Sequence, residues 1–280
     1  MHYPAVWCRE ERVAVPQDGE GRELPGFDVK VPSSARVWNY WVGGKDHFAA
    51  DREAGEQILE AMPTLRMIAR ASRGFLVDVV RDLAAERGVR QFLDIGTGLP
   101  TADNTHDVAQ RAAPGARIVY ADYDPVVLAH AQALLTSTPE GKTDYIQADV
   151  RDPEVILSAA RRTLDFSEPV AVILIFVMHF VSDAERPHDV VRRLMEPLPA
   201  GSYLVMAHAA SDIAADFMAA GADAYNDRVS ARITPRDRAG VSRFFDGLEM
   251  IAPGVVPVAQ WSGASGDGGL QAYCGVGRKL

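Results

Sequence analysis

From residue 89 onward, short apolar runs alternate regularly with amphipathic stretches. Apolar runs of this length, bounded by glycine or polar residues, predict buried strands, and apolar positions three or four apart predict helices. The pattern predicts five strand–helix units, with strands at 91–96, 117–122, 144–148, 169–177 and 202–208 and helices at 102–113, 125–136, 152–162, 185–196 and 211–222. This alternation is typical of a parallel sheet whose crossover helices cover both faces.

The pattern changes after the fifth unit. A helical stretch at 235–245 precedes two strand-like runs, 248–260 and 270–277, which are joined by a turn-rich segment at 262–269. Strands that follow each other without a long crossover must pair antiparallel. We therefore predict an α/β fold, a three-layer α-β-α sandwich of Rossmann-like order that ends on an antiparallel strand.

The segment before the sheet divides into two parts. Residues 1–32 mix prolines, glycines and charges without periodicity, which predicts a mobile N-terminal arm. Residues 33–88 are predicted to form a helical extension or lid, with amphipathic helices at 48–61 and 65–87 preceded by an aromatic-rich stretch at 33–46. The main domain is expected to span 89–280.

Composition narrows the class of protein. A chain of 280 residues that is 48% hydrophobic can bury one substantial core. The net charge of -9 argues against a sequence-independent grip on nucleic acid, which needs a basic surface. Cys8 and Cys274 offer neither a disulfide framework nor metal-ligand spacing. The apolar runs are too short for a membrane span, and the first residues lack a secretory apolar stretch, so we expect a soluble protein. The cysteine usage adds the expectation of a cytoplasmic protein without a metal.

The first predicted strand runs into a glycine turn that indicates a ligand site. Gly96 and Gly98 let the backbone turn tightly and let a ligand approach closely. A dinucleotide-binding turn would have a third glycine where this chain has Thr101. Asp94 ends the strand directly before the turn, where it would repel a phosphate and attract a cation. Thr97 adds a hydroxyl and a backbone N–H.

The second predicted strand ends in an acid at the position that suits a ribose. Asp122 is placed to accept hydrogen bonds from ribose hydroxyls, and Tyr123 is expected to lie against the ribose or adenine. The alternative for Asp122, a helix N-cap, is filled better by Asp124 before Pro125. With Asp94 at a cationic amino-acid end, the pair of acids favours S-adenosylmethionine, which carries a sulfonium, an ammonium and a ribose diol but no phosphate.

Several motifs together resemble a known family. The matching segments are RVWNY (36–40), GGKD (43–46), RGFL (73–76), QFLDIGTGLPT (91–101), DYDP (122–125), HFVSD (179–183), PAGSYL (199–204) and GVGRK (275–279). From residue 33 to residue 279 the chain resembles an actinobacterial family, formerly a domain of unknown function and later called S-adenosyl methyltransferases. The resemblance implies the seven-stranded class I methyltransferase sheet and S-adenosyl-L-methionine as cofactor, but no particular methyl acceptor. Ser72 departs from the asparagine expected before Arg73.

The resemblance also implies contacts to the adenine. Asp149, after the third strand, would accept from the adenine amino group, and the Val150 backbone would meet a ring nitrogen. An N-cap role for Asp149 competes with this interpretation, although Asp152 before Pro153 supplies a separate cap.

Two histidines follow or end strands at the edge where open α/β sheets bind ligands. A lone histidine in an apolar run is usually a core residue, but His179 closes the fourth strand in our prediction. It is our candidate catalytic residue, either lining the methyl-transfer position or acting as a base. His208, at the end of the fifth strand, is the weaker version of the same argument.

Basic and aromatic residues before the sheet are candidates for a cation site and a lid. Arg73 is predicted to meet the cofactor carboxylate, and Arg36, Tyr40 and Lys45 could add cations and cover the site. An arginine on a helix is more often simply solvated. Trp38, like Trp41, could contact the acceptor or pack the extension, and the sequence leaves both open.

The resulting hypothesis is methylation of a small molecule in a pocket between the extension and the crevice above strands four and five. Nucleic-acid and membrane partners are not expected, and the oligomeric state stays open. One alternative is a binding or regulatory protein that keeps the cofactor site without transferase activity. A nucleotide-dependent oxidoreductase is disfavoured by the missing third glycine and by Asp94.

Overall fold

The computed structural model describes residues 28–134, 136–229, 231–261 and 269–280. The helices in these ranges are α1 Ser34–Val42, α2 Ala49–Ala61, α3 Leu65–Ala85, α4 Thr105–Ala112, α5 Pro125–Leu134, α6 Pro153–Ala160, α7 Pro187–Met195, α8 Ala215–Asn226 and α9 Arg238–Ser242. The strands are β1 Gln91–Ile95, β2 Arg117–Asp122, β3 Lys142–Gln147, β4 Ala171–Ile175, β5 Tyr203–Ala209, β6 Leu248–Met250, β7 Val256–Pro257 and β8 Ala272–Lys279.

One mixed sheet organises the molecule, with the order β3-β2-β1-β4-β5-β8-β6 and with β7 pairing separately with β8. Strands β1 to β5 are parallel, whereas β8 runs antiparallel between β5 and β6. All residues of β1 and β5 are buried, as expected for strands covered on both faces. The predicted fold with its closing antiparallel strand is confirmed.

Alternating side chains of the strands build two core layers. Phe92 and Ile118 face one side, where they pack in a cluster with α3 and α4. Leu93 and Val119 face the other side, where α6 and α7 cover them. The period of two along each strand thus sends neighbouring residues into opposite layers, which gives the α-β-α sandwich.

The N-terminal helices form a third, smaller cluster. Val37 and Trp41 of α1, Ile58 of α2, and Tyr225 of α8 pack together there. Helix α3 differs from α1 and α2 because it also contributes to the layer against the sheet. The division of the chain at residue 88 stays a prediction. Of the predicted arm, 1–32, residues 1–27 lie outside the described residues.

Helix α1 was not predicted as a helix, yet its ends carry ordinary helix signals. The Ser33 side chain accepts from the Arg36 backbone N–H, and Gly43 ends the helix in the left-handed conformation at φ 85°. The Arg36 guanidinium forms a buried ion pair with Asp51 of α2 at 2.8 Å. Ser33 also donates its hydroxyl to the Asp124 carboxylate at 3.2 Å, which links the start of α1 to the end of β2.

Two strand predictions need correction. Strand β4 ends at Ile175, and Phe176 has a left-handed φ of 55°, so the chain turns into a short 3-10 helix, Met178–Phe180, that carries His179. His179 therefore follows the strand rather than closing it. The predicted run 248–260 divides into β6, β7 and the 3-10 helix Val258–Gln260, because the chain turns between Ile251 and Gly254. The joining segment 262–268 lies outside the described residues.

Candidate active site

A cavity of about 440 Å³ lies at the carboxyl ends of the parallel strands, beneath the N-terminal helices. Ligands of open α/β sheets bind at this edge. The strand ends contribute polar and charged groups, whereas α1, α2, α3 and α8 contribute mainly apolar side chains. We call these two parts the strand-end half and the helix-lined half of the cavity.

The glycine turn forms the floor of the strand-end half. Gly96 and Gly98 adopt left-handed φ values of 71° and 65°. A Cβ atom on Gly96 would lie 2.6 Å from Cγ2 of Val177, so the turn has no room for a side chain there. The Gly98 backbone N–H donates to the Asp122 carboxylate at 3.0 Å and ties the turn to the end of β2. Thr97 lies between the two glycines on the cavity wall.

Asp94 presents a buried carboxyl group beside this turn. Its Oδ2 accepts from the Thr105 hydroxyl of α4 at 2.6 Å. Burial raises the pKa of Asp94 to about 6, against the opposing effects of the Thr105 hydrogen bond and the Arg73 charge. A cationic ligand beside such a buried acid would stabilise its ionised form.

Arg73 reaches the same half of the cavity from α3. Its Nη2 donates to the Ala102 carbonyl at 2.7 Å, whereas its Nε is buried without a hydrogen-bond partner. Burial lowers the pKa of Arg73, and the nearby Asp94 charge opposes that shift. An unused guanidinium donor on a cavity wall suits a carboxylate ligand.

Asp122 ends β2 on the opposite side of the turn. It accepts from the backbone N–H groups of Gly98 and Asp124, and burial raises its pKa to about 6. Asp124, rather than Asp122, caps the next helix by accepting from the Val126 N–H at 2.9 Å. The neighbouring Tyr123 lines the cavity with half of its surface exposed.

Asp149 and Val150 follow β3 and also line the cavity. The Asp149 carboxylate accepts from the Arg151 N–H at 2.9 Å and pairs with the Arg151 guanidinium at 3.0 Å. Val150 is buried. Asp152 holds the N-cap position of α6, but its side chain makes no capping hydrogen bond.

His179 lies where the two halves of the cavity meet. It is buried, and its ring Nδ1 has no hydrogen-bond partner. Burial, with smaller effects of His208 and Arg236, holds the pKa of His179 well below its ordinary value. The imidazole is therefore neutral at physiological pH.

His208 does not reach the cavity wall, which corrects its predicted role in substrate binding. It lies within β5, fully buried, with Nε2 bonded to the Arg236 guanidinium at 3.0 Å and Nδ1 to the Ala209 carbonyl at 2.8 Å. Burial lowers the pKa of His208 to about 3. Arg236 is anchored further by Val181 and Asp183, so these groups form a rigid network behind His179.

Arg36, Tyr40 and Lys45 also lie away from the cavity wall. Arg36 is used in the buried pair with Asp51, and the Tyr40 hydroxyl bonds to Glu56 and Arg66. Lys45 is exposed. Trp38 does line the cavity, and its ring packs 5.0 Å from that of Phe176; contact with the acceptor stays a prediction.

Most of the helix-lined half was not predicted from the sequence. Its side chains share apolar character and come from distant segments: Trp41, Ile58, Met62, Ile68, Phe176, Phe180, Met218, Tyr225 and Ile233. One signal was available in α8. A Cβ atom on Gly221 would meet the Met62 sulfur at 2.9 Å, so this glycine permits the close approach of α8 to the end of α2.

Two features are absent from the described ranges. No helix within them is long and apolar enough to cross a membrane. In the same ranges, no group of three or more histidine, cysteine, aspartate or glutamate side chains is arranged to hold a metal ion.

The sheet order, the glycine turn and the acids that end β1 and β2 define a Rossmann-like methyltransferase of the S-adenosylmethionine-dependent class. A family model described as S-adenosyl methyltransferase matches residues 21–280, and the chain belongs to this family.

Solved structures agree with that assignment. A DUF574 family protein from Streptomyces avermitilis MA-4680 is 43% identical, with coverage of 90% of this chain and 99% of that one and a TM-score of 0.86. A putative methyltransferase from Thermobifida fusca YX is 38% identical, with coverage of 91% and 97% and a TM-score of 0.83. The plantazolicin methyltransferase BamL, at 8% identity, 88% and 95% coverage and a TM-score of 0.50, shares the fold alone. A comparison with curated proteins found no match.

Proposed function

We propose that this protein transfers a methyl group from S-adenosyl-L-methionine to a small-molecule acceptor held in the helix-lined half of the cavity. The observation that carries the proposal is the two-part cavity, in which charged groups gather at the strand ends and apolar groups lie beyond them. We place this activity in the cytoplasm. The buried free thiol of Cys274 supports a reducing compartment.

The residues of the strand-end half fit the cofactor. Asp94 would take the ammonium, Arg73 the carboxylate through its unused Nε, and Asp122 the ribose hydroxyls. Tyr123, Asp149 and Val150 would border the adenine, and the side-chain-free turn at Gly96 to Gly98 leaves room for close approach. When bound, the cofactor supplies a methyl group activated by its sulfonium.

The chain's own contribution is to position the acceptor and exclude water. Methyl displacement requires a near-attack arrangement, in which the nucleophile and the methyl carbon lie about 3 to 3.5 Å apart with their orbitals aligned. The apolar walls of the helix-lined half would hold the acceptor in that orientation. His179 is neutral and its lowered pKa makes it a weak base, so its imidazole would accept a hydrogen bond from the acceptor's hydroxyl or N–H and orient that group.

Calorimetric titration tests the cofactor assignment. We expect S-adenosylhomocysteine to bind and NAD(H) not to bind. Asp122→Ala should weaken the binding of S-adenosylhomocysteine at least tenfold, because the substitution removes the hydrogen-bond acceptor for the ribose hydroxyls. The matched control is Asp165→Ala, since Asp165 also accepts from the N–H two residues ahead but lies beside the start of β1. Tight NAD(H) binding without a response to S-adenosylhomocysteine would contradict the proposal.

Methyl transfer itself is tested with labelled S-adenosylmethionine in a cell extract. We expect label in a low-molecular-weight product. Cofactor binding without transfer to any acceptor would instead favour the regulatory binding protein.

A further inference from the structure

We infer that the methyl acceptor is an uncharged aromatic molecule whose hydroxyl or N–H group donates a hydrogen bond to the imidazole of His179. This inference rests on the proposed function, because it identifies the substrate class of the same cavity. It depends on three features of the described residues in the helix-lined half: their lack of charge, their aromatic rings and the buried His179 Nδ1 without a hydrogen-bond partner.

The first feature is the distribution of charge. The charged residues that line the cavity are Arg73, Asp94, Asp122, Asp149 and Arg151. All five belong to the strand-end half, where the cofactor is proposed to bind. The described side chains that α1, α2 and α8 contribute to the wall are uncharged. A charged acceptor would be desolvated there without a partner, at a large cost in binding free energy.

The second feature is the aromatic surface beside His179. The His179 ring lies 4.2 Å from the ring of Phe180 and 5.5 Å from that of Phe176. Phe176 in turn packs against Trp38, and Trp38 lies 6.1 Å from Trp41. Aromatic faces and edges at these separations favour a planar aromatic ligand over a saturated one of equal size.

The third feature is the hydrogen-bonding state of the polar atoms in this half. The Ser72 hydroxyl donates to the Ile68 carbonyl at 2.7 Å, and Gln271 accepts from Thr64 at 2.7 Å. Among the described residues here, His179 Nδ1 is the buried side-chain atom left without a partner. The His179 ring lines the cavity with hydrogen-bonding capacity left unused, and a ligand that donates to the ring would recover free energy.

The network behind His179 fixes the ring for this role. Arg236 bonds to the carbonyl of Met178, the first residue of the 3-10 helix that carries His179, and to that of Val181, directly after the helix. The His179 backbone carbonyl accepts from the Thr234 N–H at 2.7 Å. Burial, with smaller effects of His208 and Arg236, lowers the pKa of His179 and so disfavours protonation of the imidazole, which keeps a nitrogen lone pair available to accept.

Binding of 2-naphthol in the presence of saturating S-adenosylhomocysteine tests the inference. Titration at pH 7 uses three matched probes: 2-methoxynaphthalene lacks the donor, 2-naphthoate is charged, and 2-decalol lacks the aromatic faces. We expect 2-naphthol to bind without displacing S-adenosylhomocysteine. The ether and the saturated alcohol should bind about tenfold more weakly, and 2-naphthoate at least a hundredfold more weakly.

Two variants locate the binding site. His179→Phe should weaken the binding of 2-naphthol about tenfold and make its affinity equal to that of 2-methoxynaphthalene. The control, His188→Phe, should leave the affinities for both molecules unchanged. His188 bonds to the Gly240 carbonyl outside the cavity. Ala69→Phe adds a ring to the buried wall of the helix-lined half and should abolish 2-naphthol binding while S-adenosylhomocysteine still binds.

The outcomes separate the two proposals. If the natural chain does not bind S-adenosylhomocysteine, the proposed function fails. If S-adenosylhomocysteine binds but 2-naphthol does not, or 2-naphthol displaces it, or 2-naphthoate binds more tightly than 2-naphthol, only the acceptor inference is overturned. Unchanged discrimination between 2-naphthol and its ether in His179→Phe would overturn the assigned hydrogen bond.

Discussion

At the residue scale, the two acids that end β1 and β2 are each held in surroundings that disfavour their charge. Burial raises the pKa of both Asp94 and Asp122 to about 6, and smaller contributions come from the Asp122 charge on Asp94 and from the Asp124 charge on Asp122. The folded chain without ligand therefore holds more protons on these groups than the unfolded chain does between the ordinary carboxyl pKa and about 6. By linkage, ionising them lowers stability as pH rises through that window.

Asp94→Asn should remove part of this pH dependence. The substituted side chain can still accept from Thr105 but cannot ionise, so the natural chain should lose stability relative to the variant as pH rises from 4 to 7. We expect a relative change on the order of 2 kcal/mol, since one pKa unit corresponds to about 1.4 kcal/mol. Urea unfolding of both proteins at pH 4.5 and pH 7.5 measures it.

Asp144→Asn is the matched control for this substitution, because Asp144 is a half-buried strand acid that also accepts from a threonine hydroxyl, at 3.0 Å. The relative stability of this variant should change less with pH. Parallel pH profiles for the natural chain and Asp94→Asn would show that burial of Asp94 does not perturb its ionisation.

The two glycines of the turn should respond differently to an added methyl group. Gly96→Ala brings a Cβ to 2.6 Å from Val177 and also strains a left-handed backbone, whereas Gly98→Ala strains the backbone but meets nothing within 4 Å. We expect losses of unfolding free energy of about 3 kcal/mol and about 1 kcal/mol. Thermal unfolding measures both, and Val177→Ala should restore part of the first loss. Equal losses would contradict this account.

At the scale of elements, the α1–α2 pair is held together by a buried ion pair. Arg36 and Asp51 are almost fully inaccessible, and Asp51 also accepts from the backbone N–H groups of Ser33 and Phe48. One carboxylate therefore fixes the start of both helices. A buried pair of this kind contributes mainly by specifying one arrangement, because desolvating the charges offsets much of their attraction.

Removing one member of the pair should loosen the cover of the cavity. Asp51→Leu leaves the Arg36 charge buried without its ionic partner, with an expected loss of about 3 to 5 kcal/mol in local stability. Backbone hydrogen exchange in α1 and α2 should accelerate, while exchange in β1 and β5 should stay slow. The double variant Arg36→Met/Asp51→Leu should recover part of the protection.

The exposed pair of Arg66 and Glu56, at 2.8 Å between α3 and α2, supplies the control. Glu56→Gln should change the free energy of local opening, measured by hydrogen exchange, by less than about 1 kcal/mol, because solvent screens this pair. Equal acceleration in Asp51→Leu and Glu56→Gln would argue against a special role for the buried pair.

The sequence predicted the elements with strong periodicity and missed those whose signals are local. Strands β1, β2 and β5 contain the uninterrupted apolar runs 92–93, 118–121 and 203–207, and turn or polar residues follow each strand, so their positions follow from the pattern. Helix α1 has only nine residues, and Arg36 and Asn39 interrupt its buried face, so periodicity could not reveal it. Its cap residues, Ser33 and Gly43, were the usable signal.

The candidate site was predictable to the extent that it lies on strand ends. Asp94 and Asp122 share one edge of the sheet because parallel strands align their carboxyl ends, so a one-dimensional pattern suffices to bring them together. The helix-lined half depends on the packing of α1 and α2 against α8, which lie far apart in sequence. Nothing in the local pattern of Trp41 or Met218 indicates that they face the same space.

At the scale of the whole molecule, α3 joins the cavity to the main core. Its Ile68 and Leu76 line the cavity, and both also belong to the large cluster against the sheet, together with Phe75. The cover of the cavity and the sheet therefore share apolar residues. Shared burial of this kind makes separate unfolding of the extension unfavourable.

We expect the described core and the extension to unfold in one transition. Trp7→Phe/Trp261→Phe leaves Trp38 and Trp41 of α1 as the fluorescent reporters, while far-ultraviolet circular dichroism reports on the whole chain. Their urea transitions should coincide. A fluorescence transition at clearly lower urea would show that residues 33–88 unfold first and form a separate unit.

The hydrogen bond from Ser33 to Asp124 connects the cover of the cavity to the strand that ends at the proposed ribose site. Ser33 also starts α1, so a ligand that orders the end of β2 would also order the start of α1. A second ligand under α1 then meets less of the ordering cost. Such coupling between two binding free energies is reciprocal, so each ligand would raise the affinity for the other by the same factor.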